Sequence, residues 1–442
     1  MLVVRDATLA DGRGRDVLVN PDTGRIDAVG RSLDAPPDAV EVDATGKRLL
    51  PGMLDVHVHF REPGFPHKET WATGSRSAAA GGVTTVVDQP NTDPPTVTGE
   101  AFDEKLALAR RSLVDIGING GVTPDWDPEP LLSRPLFALG EVFLADSTGD
   151  MGIGADLFED AARRAAAADV PVTVHAEDAT RFDASARERD DADAWSAYRT
   201  AEAERVAVER AVDVGTNAGA RIHVAHTSTP EGVDAAAAGG ATCEVTPHHL
   251  FLSREDLDDL GTLGRMNPPL RSEARREAVF ERLVDGTVDV VATDHAPHTR
   301  AEKDASIWDA PSGVPGVETA LPLLLEEARR GTVSYERVRD VTAANPAAIF
   351  GLSQKGRVEA GRDADLVLVD PDASREIRGA ALHSKCGWTP FEGKRGVFPE
   401  LTTVRGTVVY RDTNAGRSST GEPRERDAEF AEVVGENVVA DR

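Results

Sequence analysis

Residues 53–60 read MLDVHVHF, a short β-branched run that carries His57 and His59 two positions apart. A run of this length and texture reads as a buried strand. Seven more runs follow: VTTVVD (83–88), DIGINGGV (115–122), LFALGEVFLA (136–145), VPVTVHA (170–176), ARIHVAH (220–226), ATCEVT (241–246) and VDVVATD (288–294). Ala-rich stretches with helical character lie between them, Asp156 to Ala168 and Ala201 to Val214 among them. Eight strands alternating with helices is the number that closes a (β/α)8 barrel of the TIM type, and this α/β fold is the expectation for residues 51–354. An open doubly wound sheet would need a Gly-rich phosphate turn after its first strand, and none stands there.

Outside the barrel the texture changes. Leu2 to Arg5, Asp16 to Asn20 and Arg25 to Val29 read as short strands separated by the turns DGRG and NPDTGR. The same texture returns in RVEAGRDADLVLVD (357–370) and VRGTVVYRD (404–412). The two chain ends, 1–50 and 355–412, are therefore expected to build one small composite β-sandwich domain. Residues 413–442 are polar and acidic and are expected to be a loosely ordered tail, with a short helix around Asp427 to Val434.

The 442 residues hold 49 Lys and Arg against 76 Asp and Glu, a formal charge of -27. Such a surface repels polyanions, so neither nucleic acid nor an anionic membrane is expected as partner. Only seven Lys occur and the acidic residues are scattered throughout, a pattern that suggests work in high salt. At molar ionic strength, where the Debye length is ~3 Å, the self-repulsion of that charge is screened. The alternative is an ordinary acidic cytosolic protein. Cys243 and Cys386 make no disulfide framework and are too few for a structural zinc site, which fits a reducing cytoplasm. The opening MLVVRDATLADGRG meets charge within five residues, unlike a signal peptide, and no run approaches the ~20 apolar residues of a membrane span. A cytoplasmic location is the expectation.

In a barrel the chemistry lies at the C-terminal ends of the strands. Alternate residues of a strand share a face, so His57 and His59 point the same way, about 7 Å apart along the chain. A lone His-x-His is weak evidence of a metal. Here the fifth run carries His175 one residue before its end, the sixth ends in His226 and the eighth in Asp294, so four imidazoles and a carboxylate gather at one rim. That donor set suits zinc or a similar divalent ion. His223, His248, His249, His295 and His383 read as surface or supporting residues, and His67 is left open.

The motifs PGMLDVHVHFREPG (51–64), QPNT (89–92), VHAED (174–178), HTST (226–229), CEVTPHHL (243–250), MNPPLR (266–271) and TDHAPH (293–298) span nearly the whole chain. Together they resemble the amidohydrolase superfamily, within it the cyclic amidohydrolases, and most closely the class I dihydroorotases. The resemblance implies His57, His59 and Asp294 on a first metal and His175 and His226 on a second, with Zn2+ as the ion, one or two per subunit. Many relatives bridge the metals with a carboxylated Lys on the fourth strand, but residues 140–149 contain no Lys. Glu141 aligns with that Lys, and Asp146 with an Asp that other members use just past the strand end. Glu141 has the right place on the strand but a shorter side chain. Asp146 as the ligand, or a site with one tightly held metal, therefore stays open.

The implied reaction is the reversible closure of N-carbamoyl-L-aspartate to dihydroorotate and water, the ring-forming step of pyrimidine synthesis. In the hydrolytic direction a metal-bridging hydroxide would attack the ring amide carbon, with Asp294 moving its proton to the leaving nitrogen. Arg61 can offer a bidentate fork to the substrate carboxylate. By resemblance Asn91 and His298 complete that pocket beside His59, Asn267 lies near the ring, and the backbone of Ser312 and Gly313 adds contacts, although the usual Phe-Gly is Ser-Gly here. The REPG of 61–64 favours a dihydroorotase over a hydantoinase, dihydropyrimidinase or allantoinase. A different class, an inactive structural partner of pyrimidine-pathway enzymes, would lack several metal ligands. The plain alternatives are a surface ion pair for Arg61, a turn residue for Asn91 and a pure metal ligand for Asp294. A small-molecule substrate is expected, and a homodimer or docking with a transcarbamoylase is left open.

Overall fold

The computed structural model describes residues 1–145, 151–413 and 428–439. Five short strands come first: β1 (Leu2–Thr8), β2 (Gly14–Asn20), β3 (Arg25–Gly30), β4 (Val40–Asp43) and β5 (Arg48–Pro51). Eight strands follow: β6 (Met53–Val58), β7 (Val83–Asp88), β8 (Asp115–Ile118), β9 (Leu139–Phe143), β10 (Val172–His175), β11 (Ile222–Val224), β12 (Thr242–Val245) and β13 (Val290–Val291). They coincide with the eight runs read from the sequence. β14 (Leu366–Glu376), β15 (Arg395–Val404), β16 (Thr407–Asp412) and β17 (Ala428–Phe430) complete the set.

β6 to β8 and β9 to β13 form two parallel sheets. Bridges Gly120↔Leu139 and Val58↔His295 join them at both seams and close the barrel. Asp55 on β6 reinforces the second seam by accepting from the Thr293 N–H at 2.9 Å and from its hydroxyl. Local chemistry sets the helix starts. Thr70, Thr98, Thr200 and Thr229 each accept a backbone N–H three residues on, capping helices at Trp71–Gly81, Gly99–Ala109, Ala201–Ala218 and Pro230–Ala238. The first of these ends at Gly82, whose φ of 82° turns the chain into β7.

Both chain ends pair into one nine-stranded sheet, in the order β17-β16-β15-β14-β5-β1-β2-β3 with β4 on β1. The C-terminal segment departs from expectation. Instead of a helix around 427–434, residues 428–430 form β17 on the edge of β16, where backbone pairing captures a sequence too short to sustain an isolated helix. Beyond it the Glu436 carbonyl accepts from the Ile116 N–H and the Val438 N–H donates to the Ile116 carbonyl, both at 2.9 Å. Val439 packs with Leu54, Val87, Phe137 and Phe350. Residues 428–430 are thus paired into the chain-end sheet and 436–439 held against the barrel, while residues 414–427 and 440–442 of the expected tail lie outside the described residues.

Candidate active site

His57 and Asp294 are almost fully enclosed, and so are His59, Glu141, His175 and His226. The donor atoms of His57, His59 and Glu141 lie within 4.8 Å of one another, and so do those of Glu141, His175 and His226. Glu141 is common to both groups. One of its oxygens lies 2.8 Å from His175 Nδ1 and 2.6 Å from His226 Nε2, and the other 3.4 Å from His57 Nε2. Asp294 Oδ1 is 2.9 Å from His59 Nε2 and 3.6 Å from His57 Nε2. Asp146, the other candidate bridge, lies outside the described residues.

The outer nitrogens of these rings decide what the inner ones can do. A carboxylate only accepts, so His57 Nδ1 donates to Glu244 at 2.6 Å and His175 Nε2 donates to Glu177 at 2.8 Å. His59 Nδ1 likewise meets Asn91 Oδ1 at 2.7 Å. The inner nitrogens of the three rings then face the shared carboxylates, and with a divalent ion between them each would offer its lone pair to the ion, the usual arrangement of metal-binding histidines. His57 Nε2 is buried with no hydrogen-bond partner among the described residues, which fits an atom meant for an ion. The donor set of nitrogens and carboxylate oxygens suits a divalent metal. Burial alone would raise the Glu141 carboxyl, but the charges on His226 and His57 outweigh it and hold it well below the usual range. Asp294 is lowered in the same way, burial being opposed chiefly by its hydrogen bond to His59. Both are therefore ionised acceptors.

The sequence reading missed the supporting carboxylates. Glu244 also accepts from His223 Nε2 at 3.1 Å, and Glu177 is clamped by Arg199. Both sit in the quoted motifs CEVT and VHAED, but only contact reveals the role. The surface reading of several histidines also fails. His223, His248, His249 and His295 are buried; His249 bridges Thr246 to the Pro268 carbonyl, and His295 accepts from the Gly316 N–H. His383 is partly buried against Glu318, while His67 is exposed and 3.1 Å from Glu302.

A pocket of about 310 Å³ opens beside the cluster. His59, Arg61, Asn91, Glu141, His226, Asn267, Asp294, Ser312 and Gly313 line it, with Phe143 and Ala296. Arg61 is buried and has no carboxylate in ion-pair range among the described residues, so the surface ion pair is excluded. Its guanidinium meets the Pro297 carbonyl at 3.3 Å and His298 Nε2 at 3.1 Å. His298 is not itself on the pocket wall but joins Arg61 to Lys68, whose Nζ is 3.1 Å from His298 Nδ1. Burial pushes the Arg61 pKa down only to about 10, which leaves it charged. Asn267 Oδ1 accepts from Trp195 Nε1 at 3.0 Å and lies 3.2 Å from the Ser312 hydroxyl. Arg61, His226 and Asp294 adopt φ of 65°, 34° and 44°, a strained backbone of the kind that clusters at functional sites.

The pattern of the amidohydrolase family matches residues 48–409. The chain belongs to the amidohydrolase family. It is similar to the dihydroorotase of Halobacterium salinarum, 74% identical over 411 residues that cover 93% of this chain and 96% of that protein. It is 46% identical over 381 residues to the dihydroorotase of Methanosarcina acetivorans, 82% of each chain, and 40% identical over 392 residues to that of Geobacillus thermodenitrificans, 84% and 88% of the two. Among solved structures, the L-hydantoinase (dihydropyrimidinase) of Arthrobacter aurescens matches with a TM-score of 0.88 and 29% identity over 98% of each chain. The dihydropyrimidinase of Brevibacillus agri matches with a TM-score of 0.86 and 27% identity over 98% of this chain and 97% of that one. The protein is thus an amidohydrolase of the cyclic-amide type, grouped by sequence with dihydroorotases. Among the described residues no helix is long and apolar enough to cross a membrane.

Proposed function

We propose that this amidohydrolase closes N-carbamoyl-L-aspartate to L-dihydroorotate and opens the ring in reverse, with two zinc ions held by His57, His59 and Asp294 on one side and His175 and His226 on the other. Glu141 is the bridging ligand in this reading, since it belongs to both groups of donor atoms. The observation that carries the substrate choice is Arg61: a buried guanidinium at the pocket wall with no carboxylate in ion-pair range among the described residues is suited to an anion from the substrate. The ring carboxylate of dihydroorotate is such an anion. Hydantoin and dihydrouracil have none.

When bound, the ions would supply a nucleophilic water at neutral pH and polarise the amide carbonyl. The chain does the rest. Asp294, ionised and 2.9 Å from His59, takes the proton of the attacking water on Oδ1 or Oδ2 and returns it to the leaving ring nitrogen; ring closure runs the same steps backward. Arg61 orients the carboxylate, with Asn91 and His298 beside it. Asn267, fixed by Trp195, and the Ser312–Gly313 backbone close the opposite wall. Offering the ring with and without its carboxylate tests the reading: turnover of L-dihydroorotate and not of 5,6-dihydrouracil supports it, and equal turnover of both discards Arg61 as the reader.

The charge of -27 and the scattered acidic residues support a second part of the reading, that the enzyme works in molar salt inside the cell.

A further inference from the structure

Glu141 follows a bulge. Leu139 pairs with Val172 and Val142 with Val174, so β9 holds one more residue than β10 between the same two rungs. An extra residue of this kind re-aims the side chain beside it. The position can only be glycine: Gly140 has φ 143°, and a Cβ there would fall 2.2 Å from Thr173 Oγ1 and 2.3 Å from the Thr173 carbonyl oxygen.

The bulge takes the Glu141 N–H out of the ladder, and a side chain receives it. Gln89 Oε1 accepts from Glu141 N at 3.0 Å and from Asn119 Nδ2 at 3.0 Å. Gln89 Nε2 donates to the carbonyls of Val56 at 3.2 Å and Val87 at 3.4 Å. Every hydrogen-bonding site of this amide is therefore used, and both Gln89 and Asn119 are buried. Gln89 ties the ends of β6, β7, β8 and β9 together at the level of the metal ligands. It is the first residue of the QPNT motif, to which the reaction itself gives no part.

We infer that Gly140, Gln89 and Asn119 are positioning residues whose task is to carry the short side chain of Glu141 to the point between the two histidine pairs. This rests on the reading of Glu141 as the bridge. A glutamate ends sooner than a carboxylated lysine, so the backbone must come closer to the ions. The bulge supplies the approach, and the Gln89 acceptor holds it by satisfying the N–H that the bulge leaves over.

The test is a Zn2+ titration of the metal-free protein against a chromophoric chelator in molar KCl, with the thermal midpoint measured on each sample. Gln89→Met and the milder Asn119→Ala are each expected to weaken the tighter Zn2+ affinity about 10- to 100-fold while keeping the fold, the effect of losing a residue that orients a ligand. Wild-type affinity in a folded Gln89→Met or Asn119→Ala protein overturns the inference; if Gln89→Met does not fold, Asn119→Ala decides alone. Glu141→Ala separates the two layers of the argument. Loss of Zn2+ in Glu141→Ala with none in the other two variants sinks the positioning role only, and wild-type affinity in Glu141→Ala sinks the bridge itself.

Discussion

Replacing Arg61 with Lys keeps a positive charge and removes a fork. In the wild type the guanidinium is 4% exposed, and the Pro297 carbonyl and His298 brace its plane at the pocket wall. A lysine offers one point donor on a flexible stem and cannot meet both oxygens of a carboxylate in that plane. A hydrogen bond to a charged group contributes about 1.5–3 kcal/mol. At 1.4 kcal/mol per factor of ten, losing one arm of the fork lowers kcat/KM for L-dihydroorotate by about 10- to 150-fold. Metal content should not change, because Arg61 belongs to neither group of donor atoms. The assay is steady-state ring opening followed by absorbance, with zinc counted and the melting midpoint measured on the same preparation. A kcat/KM within about twofold of wild type, at full metal content, would refute the reasoning. A parallel loss of metal would show that the effect is not a reading of the carboxylate.

Glu141→Ala should lose metal and Asp146→Ala should keep it, as counted by elemental analysis; the reverse result moves the bridge to Asp146. Asp115 is buried 2.7 Å from Lys355 and against Arg405, and although burial raises its carboxyl, those two cations outweigh it and lower the pKa. A carboxyl lowered in the folded state contributes stability above its unfolded value of about 3.9 and loses that contribution as pH falls through the folded value. Asp115→Asn leaves Lys355 paired with Asp365 at 2.5 Å and is therefore expected to cost about 1–3 kcal/mol at pH 7 and to flatten the loss of stability below about pH 4; a melting midpoint equal to wild type at pH 7 contradicts this. The charge of -27 predicts a midpoint that climbs as KCl is raised from 0.1 M toward molar concentrations, and a flat response removes the high-salt reading.

The barrel was legible because each strand is a compact β-branched run set off by Ala-rich helices, and because His57 and His59, His175, His226 and Asp294 stand at or near the ends of four of those runs. The clustered side chains His57, His59, His175, His226 and Asp294, the proposed metal ligands, are thereby visible in one dimension. Spacing alone left Glu141 and Asp146 both open as the bridge, and the bulge before Glu141 is visible only in the pairing of β9 with β10. Glu244, Glu177 and Gln89 were not legible, since their roles exist only as contacts between strands far apart in sequence. Polarity left His223, His248, His249 and His295 open as surface or supporting residues, and burial decides for the supporting role in His223, which holds Glu244; His249 uses both ring nitrogens, and His295 accepts through Nδ1. The stretch after 427 reads as a weak helix, but the open edge of β16 offers backbone hydrogen bonds that a short helix cannot match.

The most direct test of the central claim is hydrolysis of L-dihydroorotate in molar KCl, followed before chelation, after chelation, and after Zn2+ is restored. Turnover that chelation abolishes and zinc returns is the expected result. Undiminished turnover by demonstrably metal-free protein, or no turnover by protein with its zinc in place, would contradict it.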